Sequence, residues 1–109
     1  MDEPSIQYNI GGMDDRFRAL REATASALLR STGETPTELR EALAKGIAPP
    51  ELRALVEKIR TRADTVTDQD VSALKSRYTE DQLFEVIVAA AFGAAEERLV
   101  AARRALERA

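Results

Sequence analysis

Residues 80–108 read EDQLFEVIVAAAFGAAEERLVAARRALER, and this stretch decides the fold class. Its apolar residues recur every three or four positions, which is the period of an α-helix. They form one continuous stripe, consisting of Phe84, Val88, Ala91, Ala95, Leu99, Ala102 and Leu106. The first half is apolar almost all round, which predicts a central helix, whereas the second half is apolar along the stripe only and is predicted to pack on one side.

Small residues surround the middle of this stretch. Gly93 lies where the two halves join, and the sequence leaves open one long helix or two shorter ones. A glycine here either bends the helix or lets another helix approach closely. The neighbouring alanines also permit close packing, within the chain or against a second copy. We therefore expect the protein to form homo-oligomers.

Helix starts are marked upstream by a repeated threonine pattern. A threonine followed three residues later by an acidic or amide side chain is typical of a capping box. The pattern occurs at Thr35–Glu38, Thr67–Asp70 and Thr79–Gln82. Pro50 fits the first turn of a further helix, and Gly33 fits the C-terminal cap of the helix before it in the chain. These signals divide the chain into separate helices.

Two more apolar stripes complete the predicted domain. One is formed by Met13, Phe17, Leu20, Thr24 and Leu28, and the other by Leu52, Leu55, Val56, Ile59 and Ala63. Residues 1–12 contain Pro4 and the Gly11-Gly12 pair, and we expect a flexible N-terminal arm there. Residues 13–109 are predicted to form a single all-α domain of five or six helices.

Composition excludes several chemistries. The chain has 109 residues, no cysteine, no histidine and a net charge of −3. Thiol catalysis, disulfides, Cys-based metal sites and histidine-based catalysis are therefore excluded. The acidic balance argues against nucleic acid, and the longest uncharged apolar run, Val86 to Ala95, is too short to span a bilayer. The opening MDEPSIQYNIGG carries no signal-peptide pattern, so we expect a cytoplasmic protein without cofactors.

The stretch RADTVTDQD, residues 62–70, holds three aspartates between two helical patterns. A calcium loop would need a central glycine and a closing glutamate, which are absent. Capping and turn chemistry is the better interpretation of Asp64, Asp68 and Asp70, and we expect no metal site.

Glu85 is the candidate functional residue because it is the only charge between Leu83 and Ala95. A carboxylate on a buried face needs a partner from another helix or another chain. Arg60 and Arg62 are the candidate partners. The functional interpretation is a carboxylate with a shifted pKa in a pocket; the alternative is a solvated position or a structural ion pair.

Residues 50–106 resemble the core of the carboxymuconolactone decarboxylase and alkylhydroperoxidase D-like (AhpD-like) superfamily. The strongest part is RYTEDQLFEVIVAAAFGAA, residues 77–95, similar to the capped turn and alanine-rich helix of that superfamily. The resemblance implies an all-helical domain that assembles as trimers or hexamers. It also places Arg62 and Thr65 near the two cysteines of the peroxidase branch, and Gln69 near its histidine. Glu51 or Glu57 lies where the upstream glutamate would be.

The cysteines and the histidine are absent, and without thiols the glutamate has nothing to activate, so no peroxidase role transfers to this chain. The first hypothesis is a homo-oligomeric binding or structural subunit of AhpD-like fold; an accessory module for a larger protein partner is a further hypothesis that differs from it only in stoichiometry. The second is a non-thiol enzyme, a decarboxylase or isomerase acting on a small acidic metabolite. In that enzyme Glu85 would be the base, and Arg60 or Arg62 would bind the carboxylate of the ligand.

Overall fold

The computed structural model describes residues 9–109, with side chains from Asp15 onward. It contains five α-helices, which are α1 (Asn9–Ala25), α2 (Thr37–Ala44), α3 (Pro50–Thr61), α4 (Asp68–Ser72) and α5 (Glu80–Arg108). A π-helical turn, Ser26–Arg30, continues α1, and a 3₁₀ turn, Ala63–Thr65, follows α3. The described residues include no strand, so the all-α prediction is confirmed.

The predicted N-terminal arm overlaps the first helix. Because α1 begins at Asn9, residues 9–12 are helical in the structure, although we expected them in the arm. Residues 1–8 lie outside the described residues.

Residues 80–108 form one unbroken helix of 29 residues, which settles the choice between one helix and two. Helices α2 and α3 pack against its first half, and α4 is a short connection between α3 and α5. The side chains buried most completely are Leu43 of α2, Leu52 of α3, and Leu83 and Val86 of α5. The first half of α5 is therefore central, as its all-round apolar sequence predicted.

The stripe on α5 faces the opposite direction from the core. The buried positions of α5 lie on the other face and are Leu83, Val86, Ala89, Ala90, Gly93 and Ala94. On the stripe itself, Phe84 is 66% exposed, Leu99 is 37% exposed and Leu106 is 77% exposed. The second half was predicted to pack on one side, and within the single chain that side is the one opposite the stripe. A helix that is apolar all round offers two faces, and the single chain covers only the other one.

Two of the three predicted capping boxes are present. Thr67 and Asp70 cap α4 reciprocally, and Thr79 and Gln82 do the same at α5. Pro50 occupies the first turn of α3 as predicted. The third box is wrong, because α2 starts after Pro36 without a side-chain cap and the Thr35 hydroxyl donates to Glu85 instead.

Glycine ends a helix at one place, Gly46, whereas the cap predicted at Gly33 is wrong. Gly33 has no positive φ and does not cap a helix. Gly46, at φ 85°, follows the last turn of α2. The amides of Gly46 and Ile47 donate to Leu43 and Ala42 at 3.0 and 2.9 Å, which forms a Schellman motif. A left-handed residue is required there, and glycine adopts it without steric cost.

The second half of α5 extends beyond the packed core. The molecule measures 62 × 29 × 21 Å, and its radius of gyration is 17.3 Å. A compact domain of this length has a radius of gyration of about 13 Å. Much of α5 therefore has neighbours on one side only, where α1 lies beside it.

Candidate functional site around Glu85

Glu85 binds the loop between the π-helical turn and α2. Its Oε2 accepts the Glu34 amide at 2.7 Å, and its Oε1 accepts the amide and hydroxyl of Thr35 at 2.9 and 2.5 Å. Gly33 makes room for this carboxylate, since a Cβ at that position would lie 2.7 Å from Oε2. The loop therefore wraps around the carboxylate through its own backbone.

Arg40 of α2 joins the same network and is buried at 3% exposure. Its guanidinium donates to the carbonyls of Leu28, at 3.0 Å, and of Thr35, at 3.3 Å, and also to that of Ser31. Its Nε lies 3.8 Å from Oε1 of Glu85, close enough for an ion pair but without a hydrogen bond. Arg40 thus satisfies carbonyls at the end of the first helical segment and places a positive charge beside Glu85.

The surroundings of Glu85 favour its ionised form. Burial by itself raises the pKa of Glu85, but the hydrogen bonds from Glu34 and Thr35 and the charge of Arg40 outweigh it. The pKa therefore lies below its ordinary value of 4.5. A general base works best with a pKa near the working pH, and this carboxylate is shifted the other way and already accepts three hydrogen bonds. The geometry therefore indicates a structural role, in which Glu85 holds the loop at Glu34 and Thr35 against α5.

Arg60 and Arg62 do not join Glu85. Arg60 donates to the carbonyl of Ala44 at 2.7 Å and pairs with Glu97 at 2.5 Å. Glu97 follows Glu85 by twelve residues on the same helix, which is about 18 Å along the axis. Arg62 lies 3.5 Å from Asp64 in an exposed pair. The predicted pairing is wrong, because the order of helices brings Arg40 to Glu85 and sets α3 further along α5.

The acidic stretch at residues 62–70 forms the turn and the helix cap that connect α3 to α4. Asp70 accepts the amide of Thr67 at 2.9 Å and the ammonium of Lys58 at 2.8 Å. The hydrogen bond from Lys58, followed by that from Thr67, lowers the pKa of Asp70. Asp64 and Asp68 are exposed. Within the described residues no cluster of acidic side chains could hold a metal ion.

The contact between Glu51 and Tyr78 was not predicted from the sequence. The hydroxyl of Tyr78 donates to Glu51 at 2.5 Å and ties the start of α3 to the residue before the α5 cap. This hydrogen bond lowers the pKa of Glu51 and raises that of Tyr78. The resemblance pointed to Glu51 or Glu57 as a glutamate without a thiol to activate. No local signal reveals its partner, because 27 residues separate the two.

No family model matches the chain, and neither a curated protein nor a solved structure matches it. In the part of the chain that the structure describes, none of the helices has the length and apolar character needed to cross a bilayer.

Proposed function

We propose that the protein is a homo-oligomeric binding or structural module of AhpD-like fold, without thiol peroxidase chemistry. The single observation that carries this proposal is the uncovered apolar stripe along α5, in which Phe84 and Leu106 are 66% and 77% exposed. A contiguous apolar surface of this kind is typical of an interaction site. The capped turn at Thr79, which opens an alanine-rich helix, supports the proposed fold.

The stripe repeats every eleven residues. From Phe84 to Ala95 the spacings are four, three and four, and from Ala95 to Leu106 they are the same. An eleven-residue repeat, at about 3.67 residues per turn, drifts slowly around an α-helix. Two helices can therefore stay in contact along the stripe if they coil slightly around each other with a right-handed twist.

The same spacing is symmetric about Ala95. In an antiparallel pair of α5 helices centred there, Phe84 would face Leu106 of the second copy and Ala91 would face its Leu99. Alanine at the centre lets the two backbones approach, and a large residue faces a small one on either side. A two-fold interface needs a surface that complements itself in this way.

Charge also favours the antiparallel arrangement. The first turn of α5 carries Glu80 and Asp81, and its last turn carries Arg108. Antiparallel pairing brings these opposite charges near each other and opposes the two helix dipoles. A parallel pair would instead place the two acidic turns side by side.

Single cysteines test this register in a chain that has none of its own. Under mild oxidation Ala95→Cys is expected to form a disulfide-linked dimer, because Ala95 lies on the two-fold axis. Phe84→Cys is the matched control, since the two copies of that residue would be about 33 Å apart along the axis. Phe84→Cys is expected to cross-link only when it is mixed with Leu106→Cys.

Native mass spectrometry of the unmodified protein gives the size of the assembly. A two-fold contact fits a dimer or a hexamer, whereas a trimer alone contains no two-fold axis. Leu99→Glu is expected to shift the assembly toward monomer, and Ala54→Glu, at an exposed position on α3, is expected to leave it unchanged. A monomer at all concentrations, or equal cross-linking of both single cysteines, would contradict the proposal. The stripe would then be left for a different protein partner.

The alternative is a non-thiol enzyme that acts on a small acidic metabolite, and the residues named for its catalysis are engaged in other contacts. Glu85 is held ionised by loop amides, and Arg60 and Arg62 bind elsewhere. The cytoplasmic location expected from the sequence stays a prediction.

A further inference from the structure

An open cleft of about 930 Å³ lies between α1, the π-helical turn, the end of α2 and the second half of α5. It occupies the side of α5 opposite the apolar stripe. Its volume is within the range of about 300–1,000 Å³ that is usual for small-molecule sites. Apolar side chains form part of its wall, including Ala25, Leu29, Phe92 and Val100.

Polar contacts fix the two helices on either side of the cleft. Arg21 of α1 pairs with Glu96 of α5 at 2.9 Å. Four residues earlier, the ring of Phe17 lies 5.6 Å from the guanidinium of Arg103. As residue numbers fall along α1 they rise along α5, so the two helices are antiparallel.

Carboxylates that line the cleft already have cationic partners. Glu96 pairs with Arg21, and Glu97 pairs with Arg60. Glu22 and Glu41 share Arg30, at 2.5 and 3.7 Å. Lys45, the C-cap residue of α2, follows Glu41 by one turn and can offset the charge of Glu41. The inner part of the cleft is therefore close to neutral.

Arg104 is different, because it forms no hydrogen bond or ion pair with the described residues. It lines the cleft next in sequence to Arg103, and Arg18 lines the facing wall next in sequence to Phe17. Arg18 contacts Asp15 at 3.4 Å in an exposed pair. Two guanidinium groups thus approach one end of the cleft, and only one of them has a carboxylate partner.

The geometry points to a binding site for a small amphipathic anion, such as a medium-chain carboxylate. Its head group would bind Arg104 with help from Arg18, and its apolar part would lie against Val100, Phe92 and Ala25. Arginine binds carboxylates through paired hydrogen bonds, and the apolar wall supplies the remaining affinity. This site does not depend on the proposed self-association, because it uses the other face of α5.

Isothermal titration calorimetry with octanoate tests the site, using 1-octanol and inorganic phosphate as comparison probes. Octanoate is expected to bind with one site per chain and more tightly than either probe. Arg104→Gln is expected to weaken octanoate binding by about five- to tenfold, the loss of one charge-assisted hydrogen bond at a solvated position. Arg53→Gln, an exposed cation on α3, is the matched control and is expected to bind as the native protein does.

Amide NMR of the octanoate complex locates the ligand. Shifts are expected at Val100, Phe92 and Ala25, on the wall of the cleft. The inference is overturned if octanoate does not bind, if Arg104→Gln binds it equally well, or if the shifts fall elsewhere. Octanol binding as tightly would show that the charge plays no part, and phosphate binding as tightly would show the same for the apolar wall. Either result also overturns it.

Discussion

Gly93 of α5 lies directly against the backbone carbonyl of Ala44 at the end of α2. A Cβ on Gly93 would be 1.8 Å from that oxygen, a distance that no real contact allows. The same oxygen accepts a hydrogen bond from Arg60 at 2.7 Å, so the carbonyl is held from the other side as well. The missing side chain therefore sets how closely α2 approaches the central helix.

Gly93→Ala is expected to lower the free energy of unfolding by about 2–3 kcal/mol, through overpacking against a backbone that cannot move aside. At an exposed helix position the same change raises stability by about 1 kcal/mol, because alanine is the better helix former. A loss of stability on Gly93→Ala therefore indicates the close contact with Ala44, and a gain indicates its absence. Urea denaturation followed by circular dichroism measures it.

Ala54→Gly provides the control for that measurement, since Ala54 is exposed in the middle of α3. It is expected to cost about 1 kcal/mol from helix propensity alone. If the Gly93→Ala variant is as stable as the native protein or more stable, α2 and α5 do not approach as closely as described.

Glu85→Gln is expected to destabilise the protein at neutral pH by about 1–3 kcal/mol, because the Glu34 and Thr35 donors lose a charged acceptor. The pKa of Glu85 is lower in the folded state than its ordinary value of 4.5. Its contribution is therefore complete above that value and is lost as the pH falls through the folded pKa. The difference between native and variant protein should shrink when the pH is lowered from neutral to well below 4.5.

Urea denaturation at both pH values tests this, with Glu57→Gln as the control because Glu57 is exposed on α3. A difference between native protein and Glu85→Gln that does not change with pH would rule out an ionised Glu85 as the cause.

Thr79→Ala is expected to cost about 1 kcal/mol, the usual loss when an N-cap side chain is removed. The Thr79 hydroxyl accepts the Gln82 amide at 3.1 Å, at the start of the longest helix in the structure. Thr61→Ala is the comparison, because that exposed hydroxyl only donates back to the carbonyl of Glu57. Thermal unfolding of both variants checks the prediction, which requires Thr79→Ala to be the less stable of the two.

Tyr78→Phe is expected to raise the pKa of Glu51 toward its ordinary value of 4.5, since the Tyr78 hydroxyl is the main cause of its lowering. NMR titration of the side-chain carboxyl carbons measures this directly. Asp70 serves as the internal reference, because its donors, Lys58 and Thr67, are not changed. An unchanged Glu51 titration would mean that the hydrogen bond does not form in solution.

Local features of the fold followed from the sequence where the governing interactions are local. The Thr67–Asp70 and Thr79–Gln82 boxes close within three residues, so spacing alone identified them. Pro50 could be placed for the same reason, since its fixed φ suits a first turn. The Thr35 pattern looks the same in sequence, yet its hydroxyl binds Glu85 from 50 residues away. The Thr35 hydroxyl donates to this distant carboxylate, and its oxygen accepts no amide from the first turn of α2.

The sequence by itself determined an all-helical chain, the position of its central helix and the absence of thiol and histidine chemistry. Periodicity, capping and composition are properties of short segments, which is why they could be read directly. The tertiary structure decided the partner of Glu85, the face of α5 that is buried and the cleft beside α1. Each depends on which helices meet and at what register along α5. The close contact between Gly93 and Ala44 is one example, because no residue near either of them in the sequence indicates that the two are in contact.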